Sequence, residues 1–310
     1  MNRLLPVWFW IFSAIIFFPV LNINLIAQGA SDGGVSSMPV FKPVKEIFAP
    51  GQKNRMSFGM SAGVGDYSIF VLTPQVGYSR MLGKHFSADG RVTAAWHSGN
   101  GVSLFGLGDV FVNMNYLPFR DFSFSGGIKL RLNLADKFYS DEIVYPMDYQ
   151  SSLGTIDFYT GIAYHPGNWH FALMWQQPFV QNENWFYPDS LDYPDSPFNE
   201  FPGTYGFIRK GDLIYRIART ITIGDQVSFT PGILSVYHLA EDEIPDDFDG
   251  YENVKGSKGL TLNITLMTTI KLNEKSNLEI NMGLPVITRD VQLEGLMRKF
   301  VMGAEYAVAF

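Results

Sequence analysis

The chain ends in KFVMGAEYAVAF, residues 299–310. Taken in steps of two, Phe310, Val308, Tyr306, Ala304, Met302 and Phe300 form a wholly apolar face. The alternate set, Ala309, Ala307, Glu305, Gly303, Val301 and Lys299, is small, mixed and partly charged. Strict period two with one greasy face means a β-strand whose two sides meet different solvents. The register puts Glu305 and Lys299 on the inner face and Phe310, Tyr306 and Phe300 on the outer one.

Working back from this strand, the same pattern recurs. Phe122, Phe124, Gly126, Ile128, Leu130, Leu132 and Leu134 oppose Ser123, Ser125, Gly127, Lys129, Arg131 and Asn133. Met56 to Val64, Phe70 to Tyr78 and Phe86 to Trp96 repeat it, with Asp89 and Arg91 on the polar side of the third. About twelve such runs follow one another from 56 to 310, predicted near 109–116, 156–165, 169–179, 213–217, 227–238, 260–271 and 278–286 for the remainder. A soluble sandwich strand also alternates, but here one long stripe would have to recur around the whole chain. A tilted strand of ~9–11 residues is what crossing a bilayer requires.

The connections carry the same message. Those after strands two, four, six, eight and ten are short turns such as Leu82-Gly83-Lys84 and His165-Pro166-Gly167-Asn168. Three of the others are long, at 137–152, 181–204 and 241–257. Short turns at one end and long loops at the other predict an all-β fold, a transmembrane antiparallel up-and-down β-barrel of about twelve strands. An aromatic last residue resembles the terminal signature of bacterial outer-membrane β-barrels, which their assembly machinery reads. That resemblance implies Phe310, with Tyr306, as an assembly signal, and the barrel-assembly machinery and outer-membrane lipid as partners. It also places the short-turn end in the periplasm.

The first residues agree with export. Met1-Asn2-Arg3 precedes an apolar run from Leu4 to Val20, with small residues near Ala27, Gly29 and Ala30. This reads as a secretory signal peptide over 1–29 rather than a retained membrane helix. Residues 30–55 lack periodicity and read as a periplasmic N-terminal arm or small plug, and 56–310 as the outer-membrane barrel. With 26 Phe, 15 Tyr and 30 Gly, the composition suits alternating strands, tight turns and aromatic girdles. There is no cysteine, so neither a disulfide framework nor a thiolate metal site is available. A net charge of −7 gives no basic footprint for nucleic acid.

Opposite the apolar faces lie the candidate lumen residues Asp89, Arg91, Asp109, Lys129, Arg131, Asp157, Arg216, Glu279 and Glu305, joined by His165, His170, His238 and Lys271. Either they pair across the lumen and brace it, or they line a polar path for a small solute, with Lys129 and Arg131 as a local positive patch. The pairing reading is favoured, because paired interior charges need no ligand. The acidic stretch 241–257 lacks the glycine and spacing of a calcium loop and reads as a solvated loop. His165 and His170 flank a turn at a spacing that suits a metal pair, without a third ligand. The loop 181–204, rich in aromatics and acids, reads as self-packed, with sugar stacking or a cover over the pore as alternatives. No motif holds a nucleophile and a base together, and no cofactor or metal site is expected.

Gly106-Leu107-Gly108-Asp109-Val110 and Gly283-Leu284-Pro285-Val286, with the Phe310 ending, resemble uncharacterised outer-membrane barrels. They are loosely similar to phenol-degradation meta-pathway and fatty-acid-type outer-membrane transporters. The Asn-Pro-Phe-type hatch of the latter is replaced here by Met38-Pro39-Val40-Phe41. The resemblance implies a passive channel or transporter for small solutes and carries over no ligand residue. A plugged structural barrel whose outer loops bind a partner is the alternative, and a barrel enzyme is a third reading.

Overall fold

Alternation of apolar and polar side chains becomes twelve long strands joined in one antiparallel ring. A computed structural model describes residues 51–140, 143–188, 195–246, 250–295 and 298–310. The expected signal peptide at 1–29, and the expected arm up to residue 50, lie outside the described residues. The first six strands are β1 (Asn54–Gly65), β2 (Phe70–Met81), β3 (Phe86–Gly99), β4 (Val102–Phe119), β5 (Phe122–Arg131) and β6 (Ile156–Tyr164). The other six are β7 (Trp169–Val180), β8 (Asp212–Arg219), β9 (Val227–His238), β10 (Gly259–Lys271), β11 (Ser276–Ile287) and β12 (Arg298–Ala309). A short run, Ile221–Ile223, continues past β8 and pairs with the start of β9.

Each strand pairs with its sequence neighbours, and β12 pairs with β1 from Arg55↔Ala309 to Gly65↔Arg298. Asn54 N donates to Phe310 O at 3.0 Å and Phe310 N to Asn54 O at 2.9 Å, closing the ring. Closure removes the unpaired strand edges that lipid could not satisfy. The strands run from 8 residues in β8 to 18 in β4, enough for a tilted crossing. Among the described residues no helix is long and apolar enough to cross a membrane.

The chain's last residue and the five short turns lie at one end, here the inner mouth. The long connections 132–155, 181–211 and 239–258 lie at the other, the outer mouth. The outward faces carry Phe58, Met60, Val112, Ile162, Ile233, Met302 and Tyr306, all exposed. Near the inner mouth, outward rings form a girdle. Phe86 stacks on Tyr116 at 4.9 Å, Tyr116 on Phe124 at 6.5 Å, and the Arg219 guanidinium lies 5.4 Å over Trp169. Aromatic rims around an apolar band are the outer surface of a membrane-spanning barrel.

Two strand limits differ from the sequence expectation. β4 begins at Val102 rather than Asp109, and β5 stops at Arg131 rather than running to Leu134. At β4 a bulge after Val92 breaks the ladder with β3. Thr93 Oγ1 bridges the gap, accepting from Asp109 N at 2.9 Å and donating to Asp109 O at 3.2 Å. The upper part of β4 then continues as a wall against which the loop after β5 lies. A Cβ at Gly106 would collide with Ser151 Oγ, and one at Gly108 would lie 3.0 Å from Ser151 O. The Gly-Leu-Gly motif is therefore the place where a loop lies directly on a strand.

Candidate functional site

Inside the inner mouth two arginines and two glutamates interlock. Arg55 Nη2 donates to Glu279 Oε1 at 3.1 Å and to Glu305 Oε1 at 3.2 Å, and Arg91 Nη2 donates to Glu305 Oε2 at 3.3 Å. Glu279 and Glu305 are direct cross-strand partners on β11 and β12, an arrangement that repels unless a cation lies between them. Arg55, from the neighbouring β1, is that cation. All four side chains are buried, Glu305 to 2% exposure. On β3, Asp89 accepts from Asn113 Nδ2 at 2.8 Å and Asn115 Nδ2 at 3.1 Å, both inward on β4.

Farther along the axis, Lys129 Nζ lies 3.0 Å from Asp157 Oδ2 and donates to Thr155 Oγ1 at 2.7 Å, with neither charged side chain exposed. Gln176 Nε2 also donates to Asp157, and Ser152 Oγ to Asp109. Arg131 donates to Gly154 O at 2.8 Å and Gln181 O at 3.0 Å and meets Glu183 at 2.9 Å. Lys129 and Arg131 thus each have their own carboxylate and do not form the joint positive patch of the alternative reading. Arg216 is buried on β8, with Ala172 of β7 and Leu234 of β9 as its cross-strand partners. That side of the interior is apolar, built from Phe111, Tyr159, Met174, Ile214 and Leu234. Tyr159 reaches this position because Gly127 has no side chain; a Cβ there would meet the Tyr159 ring at 2.6 Å.

At the outer mouth a chain of alternating charges joins strands to loops. Arg209 pairs with Asp212, Asp212 Oδ1 lies 2.7 Å from His238 Nδ1, and His238 Nε2 lies 2.9 Å from Asp242 Oδ1. Asp242 also accepts from Lys210 N at 2.9 Å, and its own N donates to Ser257 Oγ at 2.8 Å. Each of the four side chains is at most 2% exposed. With a carboxylate on each ring nitrogen, His238 has no lone pair facing a hydroxyl, so this is a tie and not a nucleophile–base pair. Of the four, the sequence reading named only His238 as a lumen candidate; the alternation that marks inward strand positions is silent about loop residues such as Arg209.

The long loops fold over the mouth as a lid. Tyr149 is enclosed by Ile69, Val71, Phe186, Phe198 and Phe201, and Met147 by Ala135, Leu153, Phe207 and Leu293. Tyr149 OH donates to Gly99 O at 3.1 Å and accepts from Asn100 Nδ2 at 3.1 Å. Asn184 Nδ2 donates to Ala135 O at 2.7 Å and to Tyr145 O at 3.1 Å, tying the second long loop to the first. The loop expected at 181–204 is therefore packed against its neighbours over the mouth, rather than on itself alone. Between the two apolar clusters Asp148 is buried, and burial pushes its carboxyl up to about 7, with the Asp66 carboxylate nearby adding to the rise.

The remaining sequence candidates fall at the rims and on the outer face. Phe310 and Tyr306 point outward and are exposed. Lys271 is exposed at the inner rim, and Lys299, expected inside, is exposed at the outer rim 3.6 Å from Asp66. His165 and His170 do meet, Nδ1 to Nδ1 at 3.1 Å, and His170 Nε2 lies 2.7 Å from Thr220 Oγ1. They form a hydrogen-bonded relay at the inner mouth; among the described residues no group of three or more His, Cys, Asp or Glu could hold a metal ion.

No protein-family model matches the sequence, and no curated protein matches it. Solved structures match the fold. An outer-membrane channel from Pseudomonas putida F1 superposes with a TM-score of 0.55 at 13% identity, covering 84% of this chain and 96% of that one. The translocator domain of the autotransporter NalP from Neisseria meningitidis has a TM-score of 0.49 at 9% identity, covering 91% and 97%. The monoaromatic hydrocarbon channel TodX, in a mutant form, has 0.47 at 10%, covering 86% and 93%. The first of these shows the shared outer-membrane barrel fold.

Proposed function

We propose that the protein is an outer-membrane channel that passes small solutes passively, with its outer mouth shut by the loop lid in the state described. The observation that carries the reading is the division of labour inside the barrel. Strand-borne side chains line much of the interior with polar and charged groups, whereas the cover over the outer mouth is made of loops. Side chains anchored in a closed ladder cannot leave; packed loops can open at a cost set by their contacts. The Pseudomonas putida protein of the same fold is an outer-membrane channel, which supports the reading. Under it the inner mouth faces the periplasm, and Phe310 and Tyr306 present the outward aromatic signal to the barrel-assembly machinery.

The test is conductance in planar bilayers, comparing the intact barrel with a variant in which 143–153 is replaced by a short Gly-Ser linker. The expected result is a low open probability for the intact protein and sustained current for the variant. A second reading is a plugged barrel that displays its loops to a partner, favoured by the ion-pair network at the inner mouth. A correctly folded variant that carries no current would discard the channel in favour of that plugged barrel.

A further inference from the structure

The lid is held at one place by a single turn of 3-10 helix, Met147–Tyr149. Its first residue enters one apolar cluster and its last enters the other. These clusters draw on the β1–β2 connection and β2 (Ile69, Val71), the loop 181–211 (Phe186, Phe207) and the loop before β12 (Leu293). The middle residue of the turn is an acid, buried with its neighbours. We propose that this turn is a proton-sensitive keystone of the lid, seated while the Asp148 carboxyl is neutral and released when it ionises. The inference adds regulation to the channel reading and rests on that reading for its consequence, a mouth that closes in acid and opens as pH rises.

Burial, the largest influence on Asp148, and the Asp66 carboxylate favour the neutral acid, and together they outweigh a backbone hydrogen bond at Asp148 that favours the charged form. Asp66, in the connection between β1 and β2, is a second acid, and its partner Lys299 is 3.6 Å away and half exposed. Tyr67 and Tyr149 interact with Asp148 electrostatically and supply no positive charge. Glu200, on the loop 181–211, adds negative charge near Tyr67. His97 is the buried histidine beside the cluster, cross-strand from Val71. An ionised Asp148 would therefore be a desolvated anion among acids and rings, which favours the turn leaving its seat for water.

The sign follows from linkage. In the seated turn the carboxyl titrates at about 7, and in an open, solvated lid at its ordinary value of 3.8. Closure is at full strength below the ordinary value. It weakens steadily as pH rises through the window between 3.8 and about 7, and weakens no further above it.

The chain has no cysteine, so the lid can be read directly. Ser152→Cys places a thiol in a buried part of the lid loop, three residues past the turn, and Tyr187→Cys places one on an exposed site as the reference. The readout is the labelling rate with a charged methanethiosulfonate reagent, taken as the ratio of the two sites, with heat-modifiable gel migration confirming each barrel. Between pH 5.5 and 8.5 the ratio should rise by at least about tenfold. Adding Asp148→Asn should hold it low and flat, and adding Asp66→Asn should move the midpoint to lower pH. An unchanged profile in Asp148→Asn, or an unmoved midpoint in Asp66→Asn, overturns the keystone. Labelling does not depend on current: a silent barrel with a pH-dependent ratio removes the channel and keeps the keystone, and a conducting barrel with a flat ratio does the reverse.

Discussion

The barrel wall and the lid both bury charges, but they hold them differently. In the wall, Lys129 and Asp157 face each other because β5 and β6 pair residue by residue, with Lys129↔Asp157 in register. In the lid, Arg209, Asp212, His238 and Asp242 meet because separate loops and strand ends converge. A ladder fixes its ion pairs through many backbone bonds that none of them need supply. A convergence is only as firm as its own contacts. Buried charge in the wall therefore concerns whether the barrel stands, and buried charge in the lid concerns whether the mouth is shut.

The sharpest way to break this contrast is Lys129→Ala. It leaves Asp157 buried without its cation and should lower barrel stability by about 3–5 kcal/mol, measured as a shift in the urea midpoint of heat-modifiable migration. A small shift would mean that the wall tolerates unpaired charge. Asp242→Ala is the lid counterpart. It strips the acceptor from His238 Nε2 and Lys210 N, and each buried group left unmet costs about 1–3 kcal/mol. That cost should fall on the lid, with loops 181–211 and 239–258 cut sooner by protease while the barrel midpoint stays in place. A barrel that melts early in Asp242→Ala would show that wall and lid are one cooperative unit.

Smaller effects sharpen the line further. Tyr149→Phe keeps the ring in its apolar seat but loses the contacts with Gly99 O and Asn100. Lid closure should weaken by about 1–2 kcal/mol, seen as more frequent openings in single-channel records. Phe310→Ala should barely alter stability once folded, since Phe310 closes the ring through its backbone. Its expected effect is on the yield of assembled barrel in cells, with purified protein refolding into detergent as well as the parent does.

The same contrast decides what can be read from the chain alone. A strand with one side to lipid and one to the interior writes its burial into alternate residues. Glu305, Glu279 and Lys129 could be placed inside by counting in twos, and their depth follows from the same count. Lengths were less legible: β4 runs on past its bulge because Thr93 replaces the missing ladder bonds, and no local pattern announces a bulge. The lid was opaque for a deeper reason. Tyr149 is buried by residues at 69, 71, 186, 198 and 201, from two stretches of the chain far from it in sequence. The pairing of Lys129 with Asp157, and not with a joint patch beside Arg131, likewise depended on which strand neighboured β5.

The seam between β1 and β12 gives the molecule an interchangeable starting point. Asn54 and Phe310 exchange backbone hydrogen bonds, so the first and last barrel residues are already neighbours. A circular permutant of the barrel, joined there by a short linker and reopened at Gly83 or Gly224, would keep the same pairs of strands in the same register. It would also move the one long-range pairing to a different place in the ring, and with it the step at which the closing strand must find its partner. Comparing the refolding rates of such permutants would show whether the barrel closes at a fixed seam or wherever its two ends happen to be.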